Sequence, residues 1–165
     1  MKWSFEYGFT KVRDLHVSTA KRSKTGKLTV DKMEVGGQLV KPTDRFWRSF
    51  FIRFGISDSV FRYFDPGEVF ERISQQAADD SLRYCVQHGG NGNPRLLAVS
   101  NPNRPIIRYG EVADLVSRYG GMSTTYNEGI VTSTHVPRSG DQTFKIGGDS
   151  FQHRFVMETP IDGFS

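Results

Sequence analysis

One cysteine, Cys85, stands in 165 residues, so no internal disulfide can form and stability must come from a packed core. No apolar run reaches the roughly 18 residues that a membrane-crossing helix needs, and the first residues lack the apolar centre of a signal peptide. These absences give the expectation of a cytoplasmic protein without a membrane segment. The four histidines, His16, His88, His135 and His153, have no Cys, Asp or Glu at metal-ligand spacing, so no metal or other cofactor is expected. Ser100, Ser133 and Ser139 lack the G-x-S-x-G setting of an activated nucleophile, and Cys85 has no local partner that would make it one. The run Ser23-Lys24-Thr25-Gly26-Lys27 is not a phosphate loop. Lys21 occupies the place of its first glycine, and Leu28 the place of its Ser or Thr.

Enough is present to fold. Hydrophobic residues make up 36% and aromatic residues 13%, which suits a single domain over 1–165 with a sizeable core. Net charge is +4, and its distribution matters more than its size. Residues 1–41 carry nine Lys or Arg against Glu6, Asp14, Asp31 and Glu34, a balance of +5 that leaves −1 for the remainder. Such asymmetry points toward a polyanionic partner, with a merely solvated basic surface as the alternative.

The central stretch, 82–115, reads as a hairpin followed by a helix. Leu82, Tyr84, Val86 and His88 alternate with polar residues; a Gly- and Asn-rich loop follows; Leu96 to Val99 make a second, better buried strand. Val112, Leu115, Val116 and Tyr119 then share one helical face, and Gly120-Gly121 stops it. The loop at 89–93 beside Arg95 is either a flexible tip or a set of backbone N–H groups for an anion.

Upstream, Trp3, Phe5, Tyr7 and Phe9 alternate as an aromatic strand, and 10–26 is polar. Residues 21–27 read as an exposed basic hairpin or loop between strands, followed by an alternating run from Leu28 to Val35, which Gly36-Gly37 breaks. Phe46, Trp47, Phe50, Phe51 and Phe54 recur at helix spacing up to Gly55. A helix-turn-helix over 51–64 is disfavoured by bulky Phe51 where the tight crossing wants a small residue. Asp65-Pro66-Gly67-Glu68 is a strong helix start. Beyond 121, Thr124–Thr134, Thr143–Ile146 and Phe151–Met157 are strand-like.

Several of these features carry a resemblance. Arg45-Phe46, Gly55-Ile56, Phe61, Tyr63 and Asp65-Pro66-Gly67-Glu68, then Leu97-Ala98-Val99-Ser100, Arg104-Pro105-Ile106 and the helix Gly110–Leu115, resemble the phage/plasmid-like proteins grouped as domain-of-unknown-function family 932. Asn103 stands where that family often has Tyr. The resemblance spans 43–162 as a family-like core behind the basic N-terminal strand and hairpin of 1–41. It implies a phage, plasmid or mobile-element setting and carries no activity or catalytic residue. Members usually continue further, and Asp162-Gly163 reads as a hairpin turn without a return strand, so the chain is expected to be a fragment of a longer protein or to have that edge completed by another chain.

The expected architecture is α+β: an antiparallel sheet of the N-terminal strand, the 82–99 hairpin and the C-terminal strands, packed on one face by about three helices near 44–54, 66–78 and 110–119. Trp3, Phe5, Phe46, Phe50, Phe70, Leu97, Val99, Val112, Leu115 and Phe155 are its expected core. For function, the residues favour non-catalytic binding of single-stranded nucleic acid. Lys11, Arg13, Lys21, Arg22, Lys24 and Lys27 would neutralise phosphates, and Trp3 and Tyr7 would stack on bases. The alternatives are self-association through sheet edges as a structural component, and a metal-dependent phosphodiester enzyme assembled from Asp141, Asp149, His153 and Glu158.

Overall fold

Alternating side chains and closely spaced turns build six strands in the first part of the chain: β1 (Ser4–Lys11), β2 (His16–Arg22), β3 (Leu28–Val35), β4 (Gln38–Pro42), β5 (Ser81–His88) and β6 (Arg95–Ser100). They form one sheet in the order β1-β5-β6-β4-β3-β2. This computed structural model describes residues 3–90, 92–137 and 143–164. Its contacts divide into two compact units, one running to Pro105 and including Asp162–Phe164, the other Ile106–Ile161. The mixed α+β class is as expected; the single all-antiparallel sheet is not. β4 and β6 run parallel through Lys41↔Arg95 and Pro42↔Leu96, and the C-terminal strands build sheets of their own.

The first sheet must curl. β1 and β2 are its two edges, yet only Val12–Leu15 separate them in sequence. Those few residues reach at most about 17 Å, whereas six flat strands would hold their outer members about 24 Å apart. Val12 and Leu15, each 1% exposed, fill the resulting seam. Val12 N–H also donates to Asp80 O at 3.1 Å.

Two helices cover this sheet, and both begin where the sequence says they should. In α1 (Asp44–Phe54) the Thr43 hydroxyl accepts from Phe46 N–H at 3.1 Å and donates to Leu96 O at 3.0 Å, so one side chain caps the helix and pins it to β6. In α2 (Pro66–Ala77) the Glu68 carboxylate reaches back to Asp65 N–H at 3.0 Å. Phe46 and Phe50 are fully buried, and Phe50 stacks on Phe70 at 4.8 Å. Met33, Val35, Val40, Leu82, Val86 and Leu96 complete the core. Gly55, in the left-handed region at φ +65°, ends α1. Asp58–Arg62 is a short 3-10 segment with no buried residue, so 51–64 holds no second helix that could read DNA.

Tyr84 sets a steric limit in this core. It faces Gly8 across the β1/β5 pair, and its ring lies over both Gly8 and Gly36. A methyl group at Gly8 would fall 2.3 Å from the Tyr84 Cζ; one at Gly36 would fall 2.4 Å from its hydroxyl, at a position whose φ is already +57°. The ring is 6% exposed and has no room to retreat. Gly8→Ala should therefore destabilise by about 1–3 kcal/mol. Denaturant melts should show that penalty shrinking in a Tyr84→Leu background, and an unchanged penalty there would reject the clash as its cause.

Two strands were hidden in the sequence for different reasons. β2 presents mostly polar side chains to solvent and is held by backbone pairing to β3. β4 follows β3 through Gly36-Gly37 at φ +57° and +74°, the signature of a two-residue hairpin turn rather than the end of the sheet.

The second unit contains α3 (Tyr109–Arg118), β7 (Gly121–Asn127), β8 (Ile130–His135), β9 (Thr143–Ile146), β10 (Asp149–Gln152) and β11 (Phe155–Pro160). β11-β8-β7 form one antiparallel sheet and β9 with β10 a separate ribbon. Thr124–Thr134 is thus a hairpin rather than one strand, turned by Glu128 and Gly129 at φ +40° and +92°. Phe151–Met157 is two strands broken at His153-Arg154.

Of the expected core, Phe46, Phe50, Phe70, Leu97, Val99 and Val112 are buried. Phe5 and Leu115 are only half-buried. Trp3 is 37% and Phe155 45% exposed, because each begins near a sheet edge with one face open. The Asp162 carboxylate accepts from Phe164 N–H at 3.0 Å and from Arg45, which draws 162–164 into the first unit.

Candidate nucleic-acid interface

Strands β2 and β3 carry the basic cluster on a turn that is fixed by its own hydrogen bonds. Ser23 N–H donates to Lys27 O at 2.8 Å and Gly26 N–H to Ser23 O at 2.9 Å, with Gly26 at φ +78°. That is a three-residue hairpin loop whose left-handed position requires glycine. Lys27 N–H donates to the Ser23 hydroxyl at 3.1 Å, and the Ser23 and Thr25 hydroxyls lie 2.8 Å apart. The lysines are therefore mounted on an ordered tip.

Arg22 differs from its neighbours. Its guanidinium donates to Asp65 Oδ1 at 2.8 Å and to Phe61 O at 3.2 Å, tying the hairpin to the segment before α2. Lys21, Lys24 and Lys27 are exposed, and among the described residues none makes a side-chain hydrogen bond or ion pair. Their charge is uncompensated by acids in contact. The tip borders a cleft whose walls include Lys27, Leu28, Trp47, Phe51, Phe61 and Arg62.

The other expected contacts lie elsewhere. Lys11 Nζ donates to Asp79 O at 2.8 Å and Arg13 pairs with the Asp79 carboxylate at 3.1 Å, so both hold the turn before β5. Tyr7 lies on β1 and Trp3 just before it, and β1 pairs with β5 and not with β2. The half-buried Tyr7 directs its phenol to the Cys85 sulfur across that pair. Burial pushes the Cys85 thiol far above its ordinary value, which leaves it inert. Lys21, Arg22, Lys24 and Lys27 thus share the β2–β3 hairpin, while Lys11 and Arg13 are engaged with Asp79 and Trp3 and Tyr7 stand before and on β1.

The hydrolytic alternative fares differently residue by residue. Asp149 lies on β10 and Glu158 on β11, and His153 sits against Phe144 at 4.9 Å. Asp141 lies outside the described residues. No three His, Cys, Asp or Glu side chains converge as a metal set among the described residues. One serine–histidine contact went unread in the sequence. Ser133 Oγ lies 2.7 Å from His135 Nε2, while His135 Nδ1 lies 3.0 Å from Tyr119 O. The carbonyl can only accept, so Nδ1 donates to it. Both residues are buried, at 1% and 0% exposure, and His135 stacks on Phe155; the pair is a structural tie that no substrate reaches.

A second polar cluster was also invisible before the β1/β5 register was known. Glu6 and His88 are diagonal neighbours on one face of that pair. The Glu6 carboxylate accepts from Gln38 Nε2 at 2.9 Å and meets His88 Nε2 at 2.7 Å. Gln38 first, then His88, holds the Glu6 carboxyl below its usual value. A lowered folded value stabilises above the unfolded pKa and is lost as pH falls through the folded one. Glu6→Gln should therefore flatten the fall in stability below about pH 4.5, by less than about 1 kcal/mol because the carboxylate is partly solvated. Urea melts across pH 3–6 read this out.

No helix among the described residues is long and apolar enough to cross a membrane. Comparison with protein-family models, curated proteins and solved structures returns no match.

Proposed function

We propose that this chain binds single-stranded nucleic acid, without reading its sequence, through the β2–β3 hairpin. One observation carries the reading: Lys21, Lys24 and Lys27 stand exposed on an internally hydrogen-bonded tip with no acid in contact. Lysines in ion pairs gain little from phosphate, since one partner replaces another. Unpaired ones release the counterions condensed on the strand. The aromatic cleft beside the tip favours a single strand over a duplex, because only an unstacked base offers its face to a ring. A phage or mobile-element setting, where single strands are handled, fits this role. Fluorescence anisotropy with a labelled 15-mer at low salt tests it, against a duplex of equal length. Tighter binding of the single strand supports the reading. Failure to bind at low salt, where electrostatic attraction is strongest, overturns it.

A further inference from the structure

Two adjoining hollows lie beside the basic tip. One, of about 480 Å³, is largely apolar, with Trp47, Phe51, Phe61 and Ile52 in its wall. The other, of about 550 Å³, is bounded by Thr25, Gly26, Lys27 and Arg62. Leu28, Asp58 and Phe61 belong to both, so the two form one continuous cleft. We infer that this cleft is a nucleotide subsite, with one base in the aromatic part and its phosphate toward Lys27 and Arg62; the inference rests on the proposed single-strand binding.

The chemistry of the walls selects this occupant. Phe51 stacks on Trp47 at 5.8 Å and Phe61 meets Trp47 edge-on at 5.4 Å, so the rings form a supported wall rather than loose side chains. Trp47, Phe51 and Phe61 are each half-buried and keep part of their surface toward the cleft. Asp44, Arg48 and Asp58 border the aromatic part, so its rim carries charge of both signs, whereas Lys27 and Arg62 make the other end the more basic one. A base is neutral and can accept the wall's apolar contact, while Asp58 offers an acceptor to exocyclic amino groups such as N4 of cytosine. The cations lie where the attached phosphate would emerge, next to the lysines of the tip. A purely apolar ligand would leave Lys27 and Arg62 unused, and a bare phosphate would leave the aromatic wall unused.

Two probes separate this subsite from the electrostatic binding beneath it: oligo(dC) of twelve nucleotides, and an abasic deoxyribose-phosphate chain of the same length. Both carry the same phosphates, so only contact with bases tells them apart. The wild-type chain should bind the cytosine oligomer about tenfold tighter, in line with stacking of one base on an aromatic side chain. Phe61→Ala should shrink that ratio toward one while leaving the salt dependence of both oligomers in place. The chain has two tryptophans, Trp3 and Trp47. In a Trp3→Phe background the remaining indole should be quenched by the cytosine oligomer and not by the abasic chain. Equal affinities with unchanged Trp47 emission overturn the subsite and leave electrostatic binding standing. If neither oligomer binds at low salt, the subsite and the proposed function fall together.

Discussion

Asp162→Ala should cost about 3–5 kcal/mol of folding stability, the usual price of leaving one member of a buried ion pair alone. The Asp162 side chain is wholly buried and that of Arg45 is 13% exposed. The contact is bidentate, with Arg45 Nε and Nη2 each donating to a carboxylate oxygen, the latter at 3.0 Å. Arg45 Nη2 also donates to Phe164 O, and its guanidinium lies 4.9 Å over the Phe164 ring. Removing the carboxylate strands a guanidinium away from water and releases Phe164 N–H from its acceptor. Burial pushes the Asp162 carboxyl above its usual value against the pull of Arg45, so desolvation cancels much of what the pair returns. The double replacement Arg45→Met with Asp162→Leu should accordingly recover most of the loss. Guanidinium melts of the three variants decide the matter, and a single-variant loss below about 1 kcal/mol would reject a buried pair.

Replacing Lys21, Lys24 and Lys27 together with Ala should weaken binding to a single-stranded oligonucleotide by about 100-fold or more at 50 mM salt, given about 0.7 counterions released per phosphate contacted. The three side chains are exposed and bond to nothing among the described residues, so stability should change by less than about 0.5 kcal/mol. Arg22→Ala should behave in the opposite manner. It loses the contacts with Asp65 and Phe61 O that dock the hairpin, and it should loosen the hairpin more than it changes salt dependence. Anisotropy titrations paired with thermal melts separate the two effects. A triple variant that binds like the wild type would remove the hairpin from the interface.

The helices were legible because their ends are written in residue types that satisfy orphaned backbone groups: Thr43 and Gly55 around α1, Asp65-Pro66-Gly67-Glu68 before α2, Gly120 after α3. The basic hairpin was legible for a similar reason, since Gly26 and clustered lysines name a turn and a surface at once. β2 was not, because an edge strand with solvated side chains has no apolar alternation to display, and β4, an interior strand with Val40 and Pro42 buried, was masked by Gly36-Gly37, which reads as a break. The parallel β4/β6 contact rests on only two residue pairs 54 apart in sequence, and periodicity says nothing about partners. The same blindness affected the site. Trp3 and Tyr7 are close to the lysines along the chain, but β1 pairs with β5 and not with β2. Trp47 and Phe51 share the apolar face of α1 with Phe46 and Phe50, and helix spacing alone does not show that these two, with Phe61 from the segment beyond Gly55, border the cleft.

The salt dependence of wild-type binding tests nucleic-acid recognition by the hairpin most directly. Three unpaired lysines contacting three phosphates should give a slope of about −2 for log affinity against log salt on a single strand. Including Arg22, were it free of Asp65, would steepen this to about −3. A slope near −2 between 50 and 200 mM salt, lost in the triple-lysine variant, is the expected result. A flat slope in the wild type, or one that survives replacement of all three lysines, would contradict recognition by the hairpin.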